Sequence, residues 1–138
     1  MSFPIARRAI LVGASLLTAP SIVRAQGANG VALVIGNSKY KWEAQLPNVR
    51  RDAPDVARRF EQFGLATELL QDAGHDAMKQ AIAKFSAAAR GAPLAAFYFA
   101  GHGAQWGESS YIVPADADLG TPSAVKDLPS VPSIRQGT

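Results

Sequence analysis

Residues Leu94 to Ala100, L-A-A-F-Y-F-A, form an uninterrupted apolar run that ends at a histidine between two glycines, Gly101-His102-Gly103. An apolar stretch of this length reads as a strand buried on both faces of a parallel sheet. The two glycines let the backbone turn sharply and leave His102 uncrowded. Reacting groups of open α/β sheets lie beyond the carboxyl ends of the strands, and this order of residues puts an imidazole there. A Gly-His-Gly in isolation suits equally a histidine that merely caps a turn, so the rest of the chain decides its weight.

The remaining segments form a β-α-β-α-β series. Val31 to Gly36 is a second apolar run and reads as the first strand. Proline is tolerated in the first turn of a helix, so Pro54 predicts a first helix that begins near Asp52, which can cap it. That helix runs to about Phe63, with Val56, Ala57, Phe60 and Phe63 at helical spacing and Arg58 and Arg59 off the stripe; Gly64 ends it. Leu65 to Gln71 is the second strand. Asp76 or a neighbour opens a second helix, whose Met78, Ile82, Phe85 and Ala89 share a face, and Gly91 and Pro93 stop it. Strands alternating with helices in this way imply an α/β fold with parallel pairing and right-handed crossovers. Beyond His102, a polar loop from Trp106 to Ser110 precedes Tyr111-Ile112-Val113-Pro114.

The chain's 138 residues, 48% hydrophobic and 18% charged, suit one small domain with its own core. Residues 1–25 stand apart. Arg7-Arg8, the apolar stretch Ala9 to Ala19 and then Val23-Arg24-Ala25 have the order of an export signal, and the paired arginines point to the twin-arginine route and a periplasmic destination. The apolar stretch is too short to span a bilayer, so no stable membrane anchor is expected after cleavage. With Arg7, Arg8 and Arg24 set aside, the remaining basic residues only match the 11 acidic ones, which removes the electrostatic support for nucleic-acid binding. The chain has no cysteine, hence no disulfide.

Read together, F-Y-F-A-G-H-G-A-Q and S-Y-I-V-P-A-D-A-D-L resemble the caspase-like cysteine peptidases of the bacterial metacaspase and paracaspase type. Val31-Ala32-Leu33-Val34-Ile35-Gly36-Asn37-Ser38-Lys39-Tyr40 is similar to the opening strand and loop of that domain, and Leu46-Pro47-Asn48 with Asp52-Ala53 to the approach to its first helix. The resemblance covers roughly residues 30 to 120, with four motifs in the right order. It implies a three-layer sandwich with a mainly parallel central sheet, a polypeptide substrate or protein partner, and no cofactor. By the same resemblance His102 is the catalytic imidazole, Gly103 donates its backbone N–H to the developing oxyanion, and Asp52 lines the pocket for a substrate Arg or Lys. Asp52 as a helix cap, or an acidic substrate drawn by Arg50 and Arg51, are the competing readings.

The family's nucleophile is a cysteine, which this chain lacks, and covalent amide hydrolysis cannot proceed without it. The segment Leu119 to Thr138 has no apolar run long enough for a buried strand, and residues 121–138 read as a Pro/Ser-rich, disordered tail, so the domain, residues 26–120, is expected to be an incomplete N-terminal portion, inactive by itself. Two alternatives stand beside this one: a non-catalytic caspase-like binding domain, and an unrelated small α/β hydrolase using His102 with Asp116 or Asp118. Ser109 and Ser110 lack the G-x-S-x-G setting of an activated serine, which counts against the last. His75 is expected at the surface or in a cap, and Asp116 and Asp118 in turns rather than around a metal. Trp42 and Trp106 fall in predicted loops, beside a cleft or over a sheet edge.

Overall fold

The computed structural model describes residues 29–132. The expected export signal, residues 1–25, and residues 133–138 of the expected tail lie outside the described residues. Through β3 the elements follow the predicted order, β1 (Gly30–Gly36), α1 (Val49–Gln62), β2 (Leu65–Gln71), α2 (His75–Ala89) and β3 (Ala95–Ala100); a hairpin of β4 (Gly103–Trp106) and β5 (Ser109–Ile112) and a 3-10 helix (Pro122–Asp127) come after them.

β1 is buried along its whole length because it is the centre of a three-stranded parallel sheet of order β2-β1-β3. Its side chains alternate between two cores. Val31, Leu33 and Ile35 meet Met78, Ala81 and Phe85 of α2, while Val34 on the other face meets Ala53 and Ala57 of α1. These are the three layers of an α/β sandwich. Small residues on α1 bring it close to the sheet: Gly36 faces Ala53 and Val49 so tightly that a side chain at this position would collide with Ala53.

Helix α1 begins one turn earlier than Pro54 suggested. Asn48 is the N-cap, Asp52 lies within the first turn, and Pro54 sits inside the helix. A proline here removes the N–H that would bond the carbonyl of Arg50. That carbonyl instead accepts the side-chain amide of Gln71 at 3.3 Å, which compensates for the lost bond. Asp52 is therefore not the cap, although a carboxylate in the first turn still favours the helix dipole. Gly64, at φ 80°, closes α1 as expected.

β3 is half-buried at each position rather than buried on both faces. Its sequence matches a central strand, but it pairs with β1 on one side and with nothing among the described residues on the other. The polar segment after His102 is a hairpin and not a loop: Trp106 pairs with Ser109 around Gly107, whose φ of 61° suits a tight turn. Residues 121–132, expected in a disordered tail, carry structure. Leu128 is buried against Tyr40 and Val113, Ser130 bridges Tyr111, and the Pro129 carbonyl accepts the N–H of Ile112 at 3.0 Å. Prolines are excluded from central strands but can supply carbonyls and apolar surface at an edge. No helix among the described residues is long and apolar enough to cross a membrane.

Candidate active site

At the carboxyl edge of the sheet, the chain leaving β1 and the chain leaving β3 meet at a third cluster, formed around Tyr40, Val113 and Leu128. His102 stands at this edge. Its backbone is held at both polar atoms: the N–H donates to the Tyr40 hydroxyl at 2.8 Å, and the carbonyl accepts from the Val113 N–H at 3.0 Å. The imidazole lies against the Tyr40 ring, with centroids 4.6 Å apart. Its Nε2 is 2.8 Å from the carbonyl oxygen of Ala44. A carbonyl can only accept, so Nε2 carries the proton, and in the neutral ring Nδ1 holds the lone pair.

The two glycines around His102 differ in what they do. A side chain at Gly101 would collide with the Tyr40 hydroxyl and the Phe99 ring, so the strand cannot leave the sheet here with anything larger. Gly103 opens β4 opposite Ile112, and a Cβ there would meet nothing nearer than the Tyr111 carbonyl oxygen at 3.6 Å. Packing does not demand glycine at position 103.

Three residues that the sequence reading left without a role shape the loop over His102. Asn37 is fully buried just past β1; its amide donates to the carbonyls of Ala73 and Val113 and accepts the Ala73 N–H at 2.9 Å. Asp72, just past β2, has φ 52° and accepts the N–H groups of Ser38 and Lys39 on one carboxylate oxygen, at 2.9 and 2.8 Å. Tyr40 donates its hydroxyl proton to Val113 at 3.2 Å, and burial, partly offset by the hydrogen bond from His102, pushes its pKa up. A polar Asn closing a run as apolar as V-A-L-V-I-G was the signal available in the sequence, since such a residue must find partners.

Asp52 is exposed on the first turn of α1, beside Ala53, which packs on Gly36. Gly36 is in register with Ala100, so Asp52 and His102 belong to the same edge of the sheet. No hydrogen bond or ion pair joins the two among the described residues. Asp116 accepts the N–H of His75 at 2.9 Å and caps α2, and Asp118 accepts the N–H of Gly120 at 2.9 Å in a turn. Neither is hydrogen-bonded or ion-paired to His102, so nothing in these bonds supports the His-Asp hydrolase alternative. His75 places its ring between the Asp76 carboxylate, at 3.0 Å, and the Asp127 carbonyl, at 2.8 Å, with no hydrogen bond to His102.

A three-layer parallel α/β sheet with a histidine turn after β3 agrees with the sequence-profile match found over residues 29–134, to the family described as Caspase domain. The chain belongs to the caspase domain family. It does so without any cysteine. The match runs through the 3-10 helix and the Tyr111 to Ser130 bridge, so this part of the caspase domain reaches past residue 120. Among curated proteins, no match to the chain is found.

Proposed function

We propose that this caspase domain contributes the imidazole, oxyanion and specificity side of a caspase-type site and, having no thiol, catalyses no peptide hydrolysis by itself. The observation that carries the reading is the contact of His102 Nε2 with the Ala44 carbonyl, which leaves Nδ1 as the basic nitrogen. An imidazole so oriented can take a thiol proton and return it to a leaving amine. Gly103, with no side chain to hold a substrate carbonyl away, offers its backbone N–H to the developing negative charge. Exposed Asp52 at the same edge pairs with a substrate Arg or Lys, the former through a two-pronged hydrogen bond.

The test has two arms. Purified to homogeneity, the chain should cleave no Arg, Lys or Asp reporter peptide above background; turnover that vanishes in His102→Ala would overturn the inactive reading. Peptides ending in Arg should bind with affinity that falls about tenfold in Asp52→Asn, as one charge-assisted pair predicts. Equal binding by both proteins removes Asp52 from the pocket.

The absence of cysteine favours one second reading, a binding domain with no catalytic duty. Peptide binding that survives both Asp52→Asn and His102→Ala would favour that reading. Residues 1–25 support a further proposal, export through the twin-arginine route with the mature chain starting near Gln26. N-terminal sequencing of protein from the native host tests it, and an intact Met1 on cytoplasmic protein contradicts it.

A further inference from the structure

We infer that Tyr40 is the positioning residue of the His102 imidazole, setting both its plane and the nitrogen that carries its proton. The inference rests on the reading of His102 as the acid-base group and extends it to a residue that would touch neither thiol nor substrate. Four observations converge on it. The Tyr40 ring lies against the imidazole at 4.6 Å with 58° between planes, which limits rotation of the imidazole about its side-chain bonds. The Tyr40 hydroxyl accepts the His102 N–H at 2.8 Å, fixing the backbone from which the imidazole hangs. That hydroxyl has one proton, and it goes to the Val113 carbonyl at 3.2 Å, so a lone pair is left facing His102. The Val113 carbonyl is in turn held by the buried Asn37 amide at 3.2 Å.

The result is a directed chain. Asn37 and Tyr40 both donate to the Val113 carbonyl, which can only accept, and His102 donates its backbone N–H, which can only donate, to Tyr40, so the direction of every bond is set by the groups at its two ends. Gly101 belongs to the same device, since a side chain there would occupy the space of the Tyr40 hydroxyl. With backbone and ring held in this way, Nε2 points at Ala44, on the loop that carries Tyr40 itself. One loop therefore supplies both the support behind the imidazole and the acceptor in front of it. A tyrosine that served only to fill the core around Val113 and Leu128 would need its ring and not its hydroxyl.

The test reads the ring nitrogens of His102 directly by 15N NMR in the neutral imidazole, with His75→Gln removing the other histidine signal. The wild-type chain is expected to show one tautomer, protonated at Nε2. Tyr40→Phe keeps the ring and removes the hydroxyl; the ratio of the two tautomers is expected to fall about tenfold toward an even mixture, the weight of a single hydrogen bond. A Tyr40→Phe chain that unfolds more readily but retains the wild-type tautomer ratio overturns the inference and leaves Tyr40 a core residue. A wild-type chain with both tautomers present would instead overturn the Ala44 contact, and with it the orientation proposed for the acid-base group. If Tyr40→Phe does not fold, the wild-type Tyr40 hydroxyl proton decides: a slowly exchanging signal with a cross-peak to the His102 amide supports the chain of bonds, and a hydroxyl that equilibrates with water too fast to detect overturns it.

Discussion

The carbonyl oxygen of Ala44 lies 2.8 Å from Nε2 of His102, although 58 residues separate them. The contact exists because β1 and β3 are neighbours in the sheet, so the loop leaving one passes over the turn leaving the other. Anything that loosens the loop from residue 37 to 46 should therefore be felt at the histidine, and the loop's anchors are the places to look.

Asp72 is the first anchor. Its carboxylate holds two N–H groups of the loop from a left-handed backbone position that alanine adopts poorly. Asp72→Ala should lower stability by about 2–4 kcal/mol, from two bonds and the backbone penalty together. Asp72→Asn, which keeps an acceptor oxygen and tolerates positive φ, should cost about 1 kcal/mol or less. Urea unfolding of both variants checks the order, and equal losses would contradict the anchoring role.

Asn37 is the second anchor, and it discriminates between two kinds of replacement. Asn37→Ala leaves the Ala73 N–H without a partner and takes one bond from each of the carbonyls of Ala73 and Val113, which keep the Ala115 N–H and the Tyr40 hydroxyl, at a cost of about 1–3 kcal/mol. Asn37→Asp should be worse at neutral pH, because it turns a carboxylate oxygen toward the carbonyls of Ala73 and Val113. Thermal melts across pH read this out: the Asp variant should recover stability as the carboxyl protonates, and a pH-independent deficit would count against it.

The glycines flanking His102 should separate cleanly. Gly101→Ala forces a methyl group into the Tyr40 hydroxyl and the Phe99 ring, and should destabilise by about 1–3 kcal/mol. Gly103→Ala meets open space and should leave stability within about 0.5 kcal/mol of wild type. Denaturation midpoints of the pair test the contrast; a large loss at Gly103 would show that folding, and not access to the backbone, requires glycine there.

His75 predicts a pH dependence away from the site. The hydrogen bond to the Asp76 carboxylate, followed by that to the Asp127 carbonyl, raises its pKa above the ordinary value of 6.5, against opposing desolvation and the charge of Lys79. A pKa raised by folding means stability that is fully present below about pH 6.5 and lost as the pH rises through the folded value. A neutral ring has one N–H for two acceptors, and with the stronger acceptor, the Asp76 carboxylate, keeping it, what is lost is the tie between the start of α2 and Asp127, at the end of the 3-10 helix. Amide exchange at Leu128 should therefore quicken between mildly acidic and mildly alkaline pH beyond its intrinsic rise, and His75→Gln should remove that excess. An unchanged profile in the variant would show that another group governs it.

The sequence by itself determined the order of elements as far as β3, the bounds of β2 to the residue, the end of α1 at Gly64 and the histidine turn after β3. Each of these has a local cause: an apolar run, a glycine that accepts positive φ, a stripe at helical spacing. It determined also that no thiol is present. Tertiary structure decided the rest, because the causes lie elsewhere in the chain. Leu94 to Ala100 has the composition of a central strand, yet among the described residues β3 pairs on one side only, and pairing is a matter of place in the sheet that composition does not encode. Pro54 sits inside α1, where Gln71 of β2 takes the carbonyl that the proline leaves without its helical N–H. Asp116 caps a helix that starts 41 residues earlier. The histidine was legible and its partner was not: every residue owns a backbone carbonyl, so nothing in the letter at position 44 distinguishes the one carbonyl that the fold brings to His102.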